Sequence, residues 1–134
     1  MGLAMGDMCF NKGPLVSPEW VKCVMVPRYR KVVDLLRANG VDALILDCDG
    51  NIDELLPIWV DSGINATYPL ERAAGMNARK VRAKYGKDLI IIGNVDKRAL
   101  ALGKDEIDSE LELVAEMTGI RSIHCEQRIF DSQI

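Results

Sequence analysis

The sequence predicts an α/β fold built from βα units around a parallel sheet, and three observations carry that reading. Short, nearly all-apolar runs alternate with longer amphipathic stretches, the order expected when each strand is followed by a helix that crosses back over the sheet. The apolar runs lack the polar alternation of a half-wet strand, so they read as strands covered on both faces. The segments joining them are short, as parallel α/β units prefer. A closed eight-unit (β/α) barrel needs roughly 250 residues. At 134 residues, any TIM barrel to which these units belong is partial, a half barrel, or is assembled from two chains.

Residues 3–5 read as the tail of a first strand. Ser17-Pro18-Glu19 starts a helix, with Ser17 as N-cap and Pro18 at the first helical position. Trp20, Val24, Tyr29, Val32, Val33 and Leu36 follow at helical spacing, and Asn39-Gly40 closes the segment. Pro27 lies inside it and is expected to kink the helix or split it in two. A buried strand is predicted over 41–46, then a turn at Asp49-Gly50-Asn51 and a helix over 52–61 that ends at Gly63. A strand over 64–68 precedes a mostly helical stretch over 71–85, interrupted near Gly75. Leu89-Ile90-Ile91-Ile92 is the clearest strand, followed by a short helix over 96–102 and a longer one over 105–117. Residues 118–134 depart from this rhythm; 120–124 could form one more strand, but no helix signal follows.

Composition narrows the function classes. Net charge is −3 with a pI near 5.2, and the basic residues are scattered rather than striped, which argues against a nucleic-acid partner. An anionic small molecule remains compatible, because a pocket can be locally basic on an acidic protein. Cys9, Cys23, Cys48 and Cys125 form no CxxC pair, and no secretory segment is recognisable, so the thiols are expected to be reduced. No apolar run approaches the roughly 20 residues that span a bilayer. The expectation is a soluble, cytoplasmic protein with no membrane partner.

In parallel α/β folds chemistry collects where strands end, because a rigid sheet positions the loops there. Each predicted strand here ends in polar groups. Asp7 follows the first; Asp47, Asp49 and Asn51 the second; Tyr68 and Glu71 the third; Asn94, Asp96, Lys97 and Arg98 the fourth. If the strands are neighbours, these groups face one cleft. Asp49, Asn51 and Asp96 also stand where helix caps are wanted. Asp47 directly follows an apolar run, so it should be partly buried and need a partner, for which Lys97 and Arg98 are candidates. Asp47, Asp49 and Glu71 are hard oxygen ligands that could hold a divalent cation if convergent, and His124 with Cys125 would add softer ones. Without motif spacing no metal and no cofactor is expected; Asp47, Asp49 and Cys125 are the ligands a metal would require. No catalytic triad and no glycine-rich phosphate loop is present. Met1, Met5 and Met8 read as core filler.

Four blocks in order resemble the uroporphyrinogen decarboxylase family. Gly13-Pro14-Leu15-Val16-Ser17-Pro18-Glu19 with Pro27-Arg28-Tyr29 is similar to its segment after the fifth barrel strand. Asp47-Cys48-Asp49-Gly50-Asn51-Ile52 is similar to its next strand end, often D-x-D-G-N. Pro69-Leu70-Glu71 with Ala74-Gly75-Met76 makes the third block. Tyr85-Gly86-Lys87-Asp88 with Ile92-Gly93-Asn94-Val95-Asp96-Lys97-Arg98 makes the fourth. The resemblance covers residues 5–117 and assigns 1–117 to the carboxy-terminal βα units of such a barrel, with 118–134 as a divergent tail.

What the resemblance implies is a carboxy-lyase acting without a cofactor on an anionic, tetrapyrrole-like substrate, in a cleft at the carboxyl ends of the strands. Asp47, Asp49, Lys97 and Arg98 would be catalytic: Lys97 or Arg98 holding carboxylates, Asp47 or Asp49 holding pyrrole N–H groups. Asp7, Asn51, Tyr68, Glu71, Asn94 and Asp96 would line the substrate. The family's Arg-bearing segment, and the Asp that decarboxylases use on the substrate, belong to the amino-terminal half. They would come from a missing half or from a second copy in a homodimer. Alternatives are a corrinoid- and zinc-dependent methyltransferase relative, whose H-x-C-G motif reads Asp47-Cys48-Asp49-Gly50 here, and a non-catalytic half-barrel that homodimerises.

Overall fold

The computed structural model describes residues 2–118. In chain order these form β1 (Gly2–Met5), a hairpin of β2 (Cys9–Phe10) and β3 (Gly13–Pro14), α1 (Pro18–Trp20), a π-helical turn (Val21–Met25) and α2 (Val26–Ala38). Then follow β4 (Leu44–Asp47), α3 (Leu56–Asp61), β5 (Ala66–Leu70), α4 (Ala78–Tyr85), β6 (Ile90–Gly93) and α5 (Lys104–Thr118). The large sheet has the order β1-β4-β5-β6, and every neighbouring pair is parallel. Strand order therefore follows chain order without reversal. The fold is α/β with a parallel sheet, as expected, and all four strands end on the same edge.

Local chemistry accounts for most boundaries. The Ser17 hydroxyl accepts from the Trp20 N–H at 3.1 Å, and Pro18 follows as the first helical residue. Pro27 does not split the stretch into two separate helices. The chain takes one wider turn just before Pro27, in which the Val26 N–H reaches back to the Val21 carbonyl. That widening accommodates the proline ring and its missing donor, so α1, the π turn and α2 run on continuously. Gly40, at φ 76°, leaves the helix in the left-handed region that favours glycine.

Three elements start later than the pattern predicts. β4 begins at Leu44 because Asn65 occupies the preceding residues: its side chain accepts from the Leu44 N–H at 2.8 Å and donates to the Asp42 carbonyl at 2.9 Å. α3 begins at Leu56, since Pro57 near its start has no N–H with which to continue a helix from 52. β5 starts at Ala66, two residues late, and passes through a cis Tyr68–Pro69 bond. The 71–85 stretch resolves into a 3-10 turn (Arg72–Ala74), Gly75 at φ 85°, and α4 capped by Asn77. The possible strand over 120–124 lies outside the described residues.

The core lies between the sheet and its helices. Leu44 and Leu46 of β4, Leu70 of β5, Tyr29 and Val33 of α2, Leu56, Ile58 and Trp59 of α3, and Val81 of α4 belong to one buried cluster. Full burial of each large apolar side chain contributes roughly 1.5–3 kcal/mol. β6, the clearest strand in the sequence, is an edge strand on which Ile90 remains exposed. Among the described residues no helix is long and apolar enough to cross a membrane.

One buried polar atom stands out. Thr67 of β5 is 1% exposed, and its hydroxyl has no hydrogen-bond partner among the described residues. Replacing a buried unpaired hydroxyl by a methyl group of the same shape removes its desolvation cost, on the order of 1–3 kcal/mol. Thr67→Val should therefore leave stability equal or raise it by roughly 1 kcal/mol in urea unfolding. A loss of stability would show that the hydroxyl is satisfied.

Candidate functional site

The loops leaving the four parallel strands are tied to one another by hydrogen bonds. Asp7, after β1, accepts the Asp49 N–H through Oδ1 at 3.2 Å. Glu71, after β5, accepts the Gly50 N–H through Oε2 at 2.9 Å. Its other oxygen, Oε1, accepts from Lys97 Nζ at 3.2 Å, so the loop after β6 is joined as well. Polar groups from all four strand ends thus meet on one edge. A cavity of about 270 Å³ opens beside them, lined in part by Asp49, Tyr68, Glu71, Gly93 and Lys97.

Gly50 makes this closeness possible. Its φ is 88°, and a Cβ there would lie 2.8 Å from the Phe10 carbonyl oxygen and 2.9 Å from the Phe10 nitrogen. Only a residue without a side chain lets the β4 loop lie against the β2–β3 hairpin while its N–H reaches Glu71. Asn94, also at positive φ (69°), is 4% exposed. Its carboxamide donates to the Leu70 carbonyl at 3.2 Å and the Met76 carbonyl at 2.9 Å, and accepts from the Ala78 N–H at 3.0 Å. That side chain is engaged by backbone and braces the edge rather than facing the cavity freely.

The expected partners of Asp47 are used elsewhere. Lys97 binds Glu71, and the Arg98 guanidinium is forked onto Asp96, with Nε at 2.8 Å from Oδ1 and an amino group 2.6 Å from Oδ2. The expectation that Lys97 or Arg98 neutralises Asp47 is therefore corrected: the nearer carboxylates on the last two loops capture both cations. Asp47 itself is half-buried at the end of β4. Asn51 and Asp96 close local turns and do not cap helices: Asn51 accepts from the Asp53 N–H at 3.1 Å and Asp96 from the Arg98 N–H at 3.0 Å, whereas the helical residues that follow start at Leu56 and Ala99 without a side-chain cap. Tyr68 is exposed at the cavity wall. Among the described residues no group of three His, Cys, Asp or Glu side chains is placed to hold a metal ion, so Asp47, Asp49 and Glu71 do not converge as ligands. His124 and Cys125 lie outside the described residues.

Two features were not legible in advance. Glu110 of α5 is 7% exposed, accepts the Asp96 N–H at 2.9 Å and pairs with Arg72 at 3.2 Å, anchoring the β6 loop from behind. Nothing in the helical pattern of 105–117 marks Glu110 as an inward carboxylate. The Gly50 contact has a weak signal, its place in the Asp49-Gly50-Asn51 turn.

The carboxyl groups divide by environment. Glu71 is held below its usual range, first by the Gly50 N–H and then by Lys97. Asp96 is held down to about 2, chiefly by the Arg98 guanidinium. Asp49, although its side chain is exposed, is pushed up by desolvation and then by the Glu71, Asp7 and Asp47 carboxylates, with Lys97 opposing. The edge can accept N–H donors along a row of carboxylates and offers one exposed ammonium.

The signs for stability follow. Glu71, depressed on folding, stabilises above the ordinary glutamate value, and that contribution is lost as pH falls through its lowered value. Asp49, raised on folding, opposes folding once it ionises in the native state. Asp49→Asn should therefore raise the thermal midpoint at pH 7. The gain should vanish below about pH 3, where both states carry the protonated acid. Carbon-detected NMR titration should find Asp49 displaced upward and Glu71 downward from their ordinary carboxylate ranges; the opposite displacement of either would break this electrostatic account. No protein-family model, curated protein or solved structure matches the chain.

Proposed function

We propose that the chain is the carboxy-terminal half of a uroporphyrinogen decarboxylase-type (β/α) barrel, a carboxy-lyase sector acting on an anionic, tetrapyrrole-like substrate. The observation that supports this most is the strand-end edge, where Asp7, Asp49, Glu71 and Lys97 from four successive loops are linked by hydrogen bonds. A strand order that follows chain order is also what an arc of such a barrel requires. Loss of carbon dioxide breaks a carbon–carbon bond and leaves an electron pair on carbon, which a general acid then protonates. Asp49, whose carboxyl is raised, suits proton delivery. The remaining carboxylates suit pyrrole N–H groups. Lys97, with a side chain 75% exposed, can exchange Glu71 for a substrate carboxylate, whereas Arg98 is committed to Asp96.

Titration with a polycarboxylate porphyrin, followed by fluorescence, tests the substrate class. Saturable binding is expected, weakened about tenfold by Lys97→Ala, the loss of roughly 1.4 kcal/mol from one ionic contact. Absence of saturable binding, or binding indifferent to Lys97, would sink the proposed substrate.

A second reading, a non-catalytic half-barrel that pairs with its own copy, is favoured by one observation. Among the described residues neither β1 nor β6 has a strand on its outer side, and Ile90, Val95, Leu100 and Leu102 are exposed on or after β6. Open parallel edges and exposed apolar side chains promote self-association. Light scattering should give twice the 14.9 kDa chain mass, constant on dilution. A monomer at that single mass would remove the pairing, and a dimer without porphyrin affinity would favour this second reading over the first.

A further inference from the structure

The two ends of the large sheet are both open and carry opposite charge. Among the described residues β1 pairs only with β4, and β6 only with β5. Sequential parallel strands joined by right-handed crossovers place their helices on one face. Ile45, Ala66 and Ile90 stand at one register level on the opposite face, outside the core cluster that holds Leu44 and Leu46. That apolar row is cut off at β6, where Ile90 is exposed.

The helices at the two ends are complementary. Within α2, Arg28, Arg30, Lys31 and Arg37 stand against Asp34 alone, whereas α5 sets six carboxylates against Lys104 alone. Arg37 donates to the Gly63 carbonyl at 3.0 Å, which turns that flank of α2 toward the end of α3. Arg28, Val32 and Leu35 share the other flank at i, i+4 and i+7 spacing. Val32 and Leu35 are exposed there, and Val32 lines a groove with Gly2 beside the free edge of β1. On α5, Glu106, Ser109 and Leu113 line a cavity with Asp96 and Arg98 of the β6 loop. Ile107 and Leu111 stand on the flank turned from that loop, half-buried, with Asp108 and Glu112 exposed beside them.

We propose that two copies of the chain close head to tail into one eight-stranded parallel barrel, β6 and α5 of each against β1 and α2 of the other, and that their strand-end edges merge into one shared mouth. This rests on the half-barrel reading and not on the decarboxylase chemistry. Eight is the strand number at which side chains just fill a barrel's interior. A head-to-tail contact between four-stranded halves therefore closes after two copies and leaves no free edge. Strands stay parallel across each junction, so all the carboxyl ends share one rim. Closure brings Asp7, after β1 of one copy, beside Lys97, after β6 of the other. Within a single chain β4 and β5 lie between those two strands. The second copy thus completes the site: it supplies a carboxylate on the open side of Lys97, whose side chain is exposed although bonded to Glu71. Outside the strands, Arg28 and Lys31 of one copy face Asp108 and Glu112 of the other across an apolar seam of Val32 and Leu35 with Ile107 and Leu111.

Charge reversal on the full chain tests this, with circular dichroism to check that each variant is folded. One variant carries Arg28→Glu and Lys31→Glu, the other Asp108→Lys and Glu112→Lys; all four positions are exposed. In light scattering the wild-type chain should show twice 14.9 kDa, and each variant alone should fall to that single mass. An equimolar mixture should return to the doubled mass, because both junctions of the mixed pair regain opposite charges. For the mouth, Asp7→Cys is added to the first variant and Lys97→Cys to the second, both with Cys23→Ser and Cys125→Ser. A short bismaleimide should then join position 7 of one copy to position 97 of the other. A monomeric wild-type chain would mean that the edges are covered within the chain, and would end the pairing of half-barrels altogether. A dimer that survives reversal of either helix, or folded variants that do not recombine, would overturn this closure and leave self-association through another face. A mixture that pairs without the 7–97 link would overturn the shared mouth.

Discussion

The carboxamide of Asn94 binds three backbone groups that belong to three different pieces of chain. It receives the first N–H of α4, and it donates to the end of β5 and to the turn between them. Each such bond is worth about 1 kcal/mol net, and each buried partner left unpaired would cost about 1–3 kcal/mol. Holding a non-glycine residue at φ 69° costs on the order of 1 kcal/mol, which these bonds exceed. The consequence is geometric. With the ends of β5 and β6 locked together, Glu71 can span from the Gly50 N–H on one side to Lys97 on the other. Gly93, where a Cβ would lie 3.1 Å from the Leu70 nitrogen, allows the same close approach.

Around that brace the charges are arranged in layers. Deepest is Glu110, which holds Arg72 and the Asp96 N–H from α5. Next come Asp96 with Arg98 and Glu71 with Lys97, each with a shielded carboxylate and a largely exposed cation. Exposed ion pairs contribute at most about 1 kcal/mol, so these pairs position loops more than they stabilise the fold. Asp49 stands outside the pairing. Desolvation first, and then the Glu71, Asp7 and Asp47 carboxylates, push its carboxyl up, with Lys97 opposing. An edge with one carboxyl pushed up, one exposed ammonium and several fixed acceptors is the chemical resource that this chain offers.

Where local rules dominate, the residues alone were legible. Ser17 and Pro18 start a helix because a hydroxyl and a missing N–H suit that position in any context. The grouping of Asp7, Asp49, Glu71 and Lys97 on one edge was also legible, because parallel strands joined by helices must all end on the same side. The split expected at Pro27 does not occur, since a ring that breaks a regular helix is tolerated where the preceding turn can widen. Leu89 to Ile92 carried the clearest strand pattern yet forms an exposed edge, because hydropathy reports what a strand prefers and not how many neighbours it acquires.

The sequence by itself determined the parallel α/β class, the order of the large sheet's strands and of the helices between them, and which polar residues share the strand-end edge. Each of these follows from periodicity and chain direction. Tertiary structure alone decided the pairing: Lys97 to Glu71 rather than Asp47, Arg98 to Asp96, and Asn94 to backbone. Pairing depends on distances of a few ångströms between loops far apart in the chain. Those distances are set by sheet register and by close approaches at Gly50 and Gly93, which no local pattern encodes.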